Sequence, residues 1–358
     1  MAKTWEKDKL TLEDGRAVEA TAPCIISASR STDIPAFYAD WFFNRLKQGY
    51  SVWRNPFNGV DSYISYKNTA FIVFWSKNPK PLIKHLPYLK EHGIEWYLQY
   101  TLNDYVHERL EPGVAPLQER IDTFKHIVDY GGLGRVVWRF DPLILTDKID
   151  ADLLLEKVNN IANQLRGYTE KLVFSYADIL SYRKVKTNLE TNHINYREWT
   201  ESEMLDFAKR LSELNREWVY HLATCGEKVD LEQYGVEHNH CVDDELMIRF
   251  SWRNNKLMDF LGVEVRPFDT QTDLFGDTPT LPEGAIMVDA SHYALKRANN
   301  RDKGQRQFCG CIVSKDIGQY NTCPHQCEYC YANTNKAVAV ANFEQHKKNP
   351  YSETITGK

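Results

Sequence analysis

Five cysteines crowd into 22 positions near the C-terminus of a chain that has eight in all. They read Cys309-Gly-Cys311, then Cys323-Pro-His-Gln-Cys327-Glu-Tyr-Cys330. The last three have the spacing C-x3-C-x2-C. A cubane [4Fe–4S] cluster prefers four ligands, commonly thiolates, and thiolates this close can wrap three of its corners. The fourth iron then stays open to a small molecule. An open coordination position marks a catalytic metal site, as a closed set marks a structural one. The competing readings are a structural zinc and a plain electron-transfer cluster. Zinc knuckles usually pair cysteines as two C-x2-4-C units, unlike this triplet.

Setting the triplet aside leaves Cys24, Cys225, Cys241, Cys309 and Cys311. Cys24 opens an apolar run and reads as a small buried hydrophobe. The other four fall in expected loops and make one complete tetrathiolate set. Such a set suits an auxiliary [4Fe–4S] cluster or a structural Zn2+. It would also tie the C-terminal tail to the rest of the fold. His238 or His240, close to Cys241, could replace one thiolate. The alternative is that Cys225 and Cys241 are free thiols.

Composition bounds where such chemistry can occur. The 358 residues allow one large α/β barrel or two modest domains. Hydrophobic residues at 42% and charged residues at 26% are ordinary for a globular protein, and the many aromatic residues suit a large core. A net charge of −5 gives no global basicity to attract nucleic acid, which leaves only a local basic groove for that role. Residues 1–16 are polar, without a signal-peptide stretch. No run approaches the roughly 18 apolar residues needed to span a bilayer. The expectation is a cytoplasmic protein without membrane attachment, whose cysteines bind metal or do redox chemistry in preference to forming disulfides.

The elements that must position these residues alternate. Runs rich in Val, Ile, Phe, Tyr and Trp predict strands at 24–29, 71–75, 96–101, 135–140, 172–176 and 219–223. Amphipathic spacing predicts helices at 35–48 and 117–130, each followed directly by a glycine, and at 153–165, ending at Gly167. Thr200 and Glu203 form a capping box ahead of a helix at 204–214. Repeated β-α units imply parallel strands joined by right-handed crossovers, hence an α/β fold with a full or partial (β/α) barrel. Residues 1–262 would form the barrel core. Residues 263–306, opening on a Pro- and Thr-rich stretch, would be a linker or excursion, and 307–358 the cluster segment completing the barrel. Polar residues follow each strand: Ser29 to Asp33, Ser76 to Asn78, Asn103 and Asp104, Arg139 and Asp141, Asp178, and Cys225. In a parallel barrel these collect at the C-terminal face, where active sites form. Arg139 could grip an anionic substrate or a cofactor carboxylate at two points, oriented by Asp141, although a structural ion pair is the rival reading. Lys77 and Asn78 invite the same pair of readings, and Tyr176 and Asp178 could serve a hydrogen-atom or proton path.

Cys323, Cys327 and Cys330 resemble the cluster motif of radical S-adenosylmethionine enzymes. In that superfamily S-adenosylmethionine chelates the open iron, and one electron cleaves it to a 5′-deoxyadenosyl radical. The resemblance implies that Tyr329 lies against the adenine; Tyr331-Ala332 is also common there. The motif normally follows the first barrel strand, near the start of the chain. Here it lies near the end, as in an uncharacterised family whose C-terminus holds such a cluster. Residues 29–35, 74–79, 138–142 and 316–332 carry that likeness. Circular permutation would account for the order: 312–320 would supply the strand before the cluster loop, and 24–29 the next strand in space. The resemblance then makes Ser29, Arg30 and Thr32 candidates to contact the methionine part of the cofactor. It also implies a low-potential flavodoxin or ferredoxin as electron donor.

One further motif stands apart. Gln271-Thr-Asp-Leu274-Phe275 resembles short peptides that bacterial repair and replication proteins insert into the DNA sliding clamp. It would point to a nucleic-acid substrate. Two other functions stay open on these residues: a non-catalytic iron–sulfur protein for electron transfer or redox sensing, and a zinc-stabilised binding protein attached to the clamp.

Overall fold

The computed structural model describes residues 5–12, 14–268 and 281–358. The clamp-like peptide at 271–275 lies outside the described residues. The apolar runs form the strands of one large sheet, numbered here in chain order: β1 Ile25–Ala28, β2 Phe71–Ser76, β3 Glu95–Thr101, β4 Val136–Leu143, β5 Lys171–Tyr176, β6 His221–Thr224, β7 Val236–His238 and β8 Lys315–Asp316. The spatial order is β8-β1-β2-β3-β4-β5-β6-β7, and every pair is parallel. The fold class is therefore the expected α/β. No strand pairing joins β7 to β8 among the described residues, so the barrel is not closed. The gap is bridged by loop segments, with Ile312 N–H donating to the Val242 carbonyl at 3.0 Å.

Side chains alternate across the sheet, so each strand feeds two cores. Ile26, Ile72, Phe74, Leu98, Tyr100, Trp138 and Phe174 point to one face. The crossover helices Ala39–Gln48, Leu117–Gly131, Ala151–Gln164 and Glu201–Trp218 cover that face with buried Trp41, Phe124, Ile161 and Phe207. Ile25, Phe71, Val73 and Tyr97 point the other way, onto Cys241, Val242, Cys309 and Cys311 and the helices Asp244–Ser251 and Asn255–Leu261. Truncating one buried aromatic such as Phe74 to alanine would cost about 3–5 kcal/mol.

Helix signals hold where they are local. Asp150 caps Ala151–Gln164 through Leu153 N–H, and Thr200 with Glu203 forms the expected capping box. That helix runs to Trp218 and ends at Val219 in left-handed geometry, φ 59°, which delays β6 to residue 221. The expected helix at 35–48 is divided at Tyr38 into Ile34–Phe37 and Ala39–Gln48. A mixed sheet, in which Ala17–Ala22 and Asp61–Ser65 pair in parallel, and an antiparallel sheet flank the main one. One comprises Glu6–Thr11, Ala17–Ala22, Tyr50–Arg54 and Asp61–Ser65; the other comprises Val263–Pro267, Ala285–Met287 and His292–Lys296. No helix among the described residues is long and apolar enough to cross a membrane.

Candidate metal centres

Because the strands are parallel, the segments that leave their C-terminal ends share one edge of the sheet. They bring Ser29, Lys77, Asn103, Asp141, Cys225, Cys241 and the triplet loop to that edge.

The triplet loop is held mainly through its backbone. Gly113 N–H donates to the His325 carbonyl at 2.9 Å, and Glu328 N–H to the Leu110 carbonyl at 2.9 Å. A Cβ at Gly113 would stand 2.6 Å from the His325 oxygen, so glycine is required there. The buried His325 ring meets Asp33 Oδ2 at 2.8 Å and the Gly113 carbonyl at 3.1 Å. The same Asp33 oxygen accepts Lys77 N–H at 2.8 Å. Asn333 donates to the Cys323 carbonyl at 2.7 Å, and Gln326 takes a left-handed φ of 58°. Burial pushes the Cys323 and Cys327 thiols up, and in both the charge of Cys330 adds to the push. Lys77 opposes the shift at Cys327.

Tyr329 is tied at its hydroxyl. Lys77 Nζ lies 2.9 Å from it and Asn103 Nδ2 3.0 Å, and the hydroxyl donates to Glu111. Lys77 Nζ also pairs with Glu111 at 2.7 Å. Burial works against both charges of this pair. Glu111 and Cys327 nevertheless raise the Lys77 pKa, while Lys77 and Arg120 lower that of Glu111. Burial, then Glu111, holds the Tyr329 phenol well above its ordinary range. The ring has Lys77 Nζ 5.2 Å from its centroid and Tyr105 edge-on at 6.0 Å.

Ser29 and Arg30 brace β1 against β8. Ser29 Oγ and Arg30 N–H each donate to Asp316 at 2.8 Å. A Cβ at Gly318 would fall 1.9 Å from Ser29 Oγ. Thr32 Oγ1 and Asn78 Oδ1 are buried without a hydrogen-bond partner.

The four other loop cysteines come together from three segments. Cys225 Sγ lies 3.4 Å from Cys241 Sγ. Cys241 Sγ accepts from Arg139 Nη1 at 3.0 Å and Asn239 Nδ2 at 3.1 Å, and Cys311 Sγ from Val242 N–H at 3.3 Å. Hydrogen bonds from the Cys225 and Cys311 thiols, helped by Arg139, hold the Cys241 thiol well below its ordinary range. The donor thiols shift the other way: the bond to Cys241 pushes Cys225 and Cys311 up, and burial adds to this. The Cys311 bond lowers Cys309 to about 6. The sulfurs thus form a chain, 225 to 241 to 311 to 309. The trio of potential ligand groups whose atoms all lie within 4.8 Å of one another, among the described residues, is instead His240, Asp243 and Asp244. Both acids are engaged: Asp243 caps its helix at 2.8 and 3.3 Å, and Asp244 pairs with Lys296 at 2.8 Å.

Arg139 is turned toward Cys241, Gln99 and Asp141. Asp141 also takes a bond from Ser175. Arg139 is thus a partner of the four-cysteine site. Tyr176 points away, donating to the Met204 carbonyl at 2.7 Å, and Asp178 caps Ser181 N–H. Asp33 was among the polar residues expected at this face, but sequence reasoning missed Glu111, Asn239, Glu227, His325 and Asp316 as site residues. Burial pushes Glu227 up to about 7 beside Tyr176 N–H. His325, inside the cysteine motif, carried the one signal that could have drawn attention.

Fold and site together define an α/β protein with a cysteine-rich C-terminal edge on a parallel sheet. A family model described as Domain of unknown function (DUF1848) matches residues 25–332, and the chain belongs to that family. The match runs from β1 through the triplet loop to Ala332. No curated protein and no solved structure matches the chain.

Proposed function

We propose that the chain is a radical S-adenosylmethionine enzyme on a circularly permuted, partial (β/α) barrel, with its catalytic [4Fe–4S] cluster held by Cys323, Cys327 and Cys330. The observation that carries this reading is the place of the cysteine loop. It follows β8, which pairs in parallel with β1 at the edge of the sheet. Moving β8 to the front of the chain would put all eight strands in spatial order, with the loop after the first.

The residues present fit the group. Buried thiols on one loop favour the neutral form until a cation draws their protons off. Thr32 Oγ1 and Asn78 Oδ1 are unspent polar atoms in the adjoining loops. With S-adenosylmethionine bound, the cluster supplies a one-electron reduction that cleaves the sulfonium and begins hydrogen abstraction. The chain's own residues fix the setting. Asp33 and Gly113 hold the loop through His325. Lys77, Asn103 and Glu111 fix the Tyr329 ring by its hydroxyl, and Lys77 offsets thiolate charge at Cys327. The two cores on either face of the sheet exclude water. A flavodoxin or ferredoxin would supply the electron.

Cys225, Cys241, Cys309 and Cys311 would hold a second metal. A tetrahedral zinc with 2.3 Å bonds places its sulfurs about 3.8 Å apart. The 3.4 Å Cys225–Cys241 contact is one link of a chain, and no three of these sulfurs lie within 4.8 Å of one another as tetrahedral zinc would need, so an auxiliary [4Fe–4S] cluster stays ahead of Zn2+ at this site.

Anaerobic reconstitution with iron, sulfide, S-adenosylmethionine and dithionite tests the reading. The expected result is release of 5′-deoxyadenosine by the wild type and none by Cys327→Ala. An intact cluster that never cleaves the cofactor would make this an electron-transfer protein. Zinc without iron would make the triplet a structural site.

A further inference from the structure

The helix Lys336–Lys348 and the segment 350–358 after it brace the triplet loop from outside the sites described above. Two aromatic contacts link the helix to the loop. Phe343 meets Phe37 edge-on at 5.4 Å, and Phe37 meets the His325 ring inside the cysteine motif edge-on at 4.6 Å. His346 meets Tyr38 edge-on at 4.7 Å, and the Tyr38 hydroxyl donates to the carbonyl of Thr322, the neighbour of Cys323, at 2.6 Å. Asn342 adds a bond to the Asn321 carbonyl at 2.9 Å. The segment 350–358 is itself strapped down. Trp41 donates to the Ser352 carbonyl at 2.9 Å, Val52 N–H to the Glu353 carbonyl at 2.8 Å, and Ile355 and Thr356 are buried.

His346 joins the helix to that segment. Its side chain is 5% exposed, its one polar partner among the described residues is the Ile355 backbone, and its Nδ1 is buried without a partner. The charged groups of the elements packed around it are turned elsewhere. Arg45 donates to the Tyr50 and Tyr351 carbonyls, Glu353 accepts from the Tyr50 hydroxyl, and Lys347 pairs with Glu344. The titratable group against the ring is Tyr38, whose own burial holds its phenol well above the ordinary range. Burial holds the imidazole below its ordinary 6.5, with the Ile355 bond resisting.

A protonated ring here would bury a second N–H without an acceptor and a charge without a counter-ion, both of which the neutral ring avoids. Moving the ring into water relieves both, and the ring cannot move without the segment it holds. We infer that His346 is a pH-sensitive pin: when protonated it leaves its buried place, frees the segment 350–358 and slackens the triplet loop at Cys323. The closed form is fully supported above the ordinary imidazole pKa of 6.5 and loses that support as the pH falls below it. That the pin governs radical chemistry rests on the proposed function; the opening of the loop does not.

Thiol labelling of the metal-free full chain with a pyridyl disulfide, from about pH 7.5 down to about pH 5 and read by peptide mapping, tests this. The expected result, relative to the denatured chain, is a roughly tenfold rise in Cys323 labelling as the pH falls, against the ordinary trend of a thiol losing its thiolate. His346→Gln keeps a donor for the Ile355 carbonyl but does not titrate, so its relative labelling should stay flat. Deuterium exchange of residues 351–357 in the wild type, corrected for intrinsic rates, should rise over the same range, which keeps the test whole even if His346→Gln does not fold. Flat labelling in the wild type, or the same rise in His346→Gln, overturns the pin. So does a rise in exchange at 351–357 that leaves Cys323 labelling unchanged, since the segment would then open without the loop. A wild type that shows both rises but yields no 5′-deoxyadenosine after reconstitution would strike the radical chemistry and leave the pin standing.

Discussion

The triplet loop and the four-cysteine site occupy the same edge of one sheet, yet they are built by opposite means. The triplet lies within eight consecutive residues, and neighbouring backbone holds its shape: Gly113, Leu110 and the Asp33–His325 pair. Burial keeps its Cys323 and Cys327 thiols neutral. The other site draws on segments up to 86 residues apart, from Cys225 to Cys311. There the sulfurs touch one another, and the chain already answers their charge with Arg139, Asn239 and Val242 N–H. The first is a backbone-braced loop with neutral thiols, which on the proposed reading a cation would ionise. The second is electrostatically compensated before any metal arrives.

The sharpest way to break this distinction is to remove one sulfur from each site. Cys327→Ala should lose about four iron atoms per chain and all cofactor cleavage, while Cys241→Ala should lose only the metal of the second site. Metal analysis with electron paramagnetic resonance reads both. If either variant empties both sites, they are one centre and the comparison collapses. The next largest effect concerns compensation. Arg139→Met should cost about 3–5 kcal/mol in metal-free protein, because it strands the Cys241 thiolate and Asp141 without their buried cation. Denaturant midpoints would show it, and a loss below about 1 kcal/mol would mean that the sulfur chain carries no buried charge. A pair of glycines separates backbone from side-chain control. Gly113→Ala drives a Cβ into the His325 carbonyl, which cannot step aside, whereas Gly310→Ala meets the partly exposed His240 ring, which can swing. The first should cost about 1–3 kcal/mol and loosen iron at the triplet; the second should cost less and spare that iron. Equal losses would deny that the two sites are held differently.

How far each site could be read from sequence follows the same division. Cys323, Cys327 and Cys330 announce themselves because their contacts are local, as do Thr200 with Glu203 and the long apolar strands. The pairing of β8 with β1 was legible only through the expected reordering of 312–320 against 24–29. Even so, just Lys315 and Asp316 pair, since a two-residue strand has no periodicity to detect. The same brevity hid β7. Glu111 was invisible for another reason: it lies in an irregular stretch, and its partners Lys77 and Tyr329 are 34 and 218 residues away. Arg139 was found together with its Asp141 partner, but its contact with the Cys241 sulfur was not, because sequence does not say which way a strand residue faces. Tyr97 and Gln99 of β3, which bind the Cys241 carbonyl, and Arg139 of β4, which meets its sulfur, show that these strands send alternate residues to that side.

The smallest expected effect concerns the joint between the two sites. β8 connects Cys311 to the triplet loop, and Lys315 within it lies against the Trp53 ring with Nζ 3.2 Å from the centroid. Burial lowers its pKa from an ordinary 10.5 to about 8, with Asp316 resisting. In that window the folded chain binds fewer protons at this residue than the unfolded chain, so stability should rise with pH from about 8 to 10.5. Below pH 8 the cost of burying the ammonium is fully present. Partial exposure discounts the gain to about 1–2 kcal/mol. Neighbouring thiols titrate over the same range, so the informative quantity is the difference between wild type and Lys315→Met. The variant should be the more stable at pH 7, and the two curves should converge as the pH approaches 10.5. Parallel curves would show that Lys315 is hydrated, and that the joint between the sites is looser than its packing against Trp53 implies.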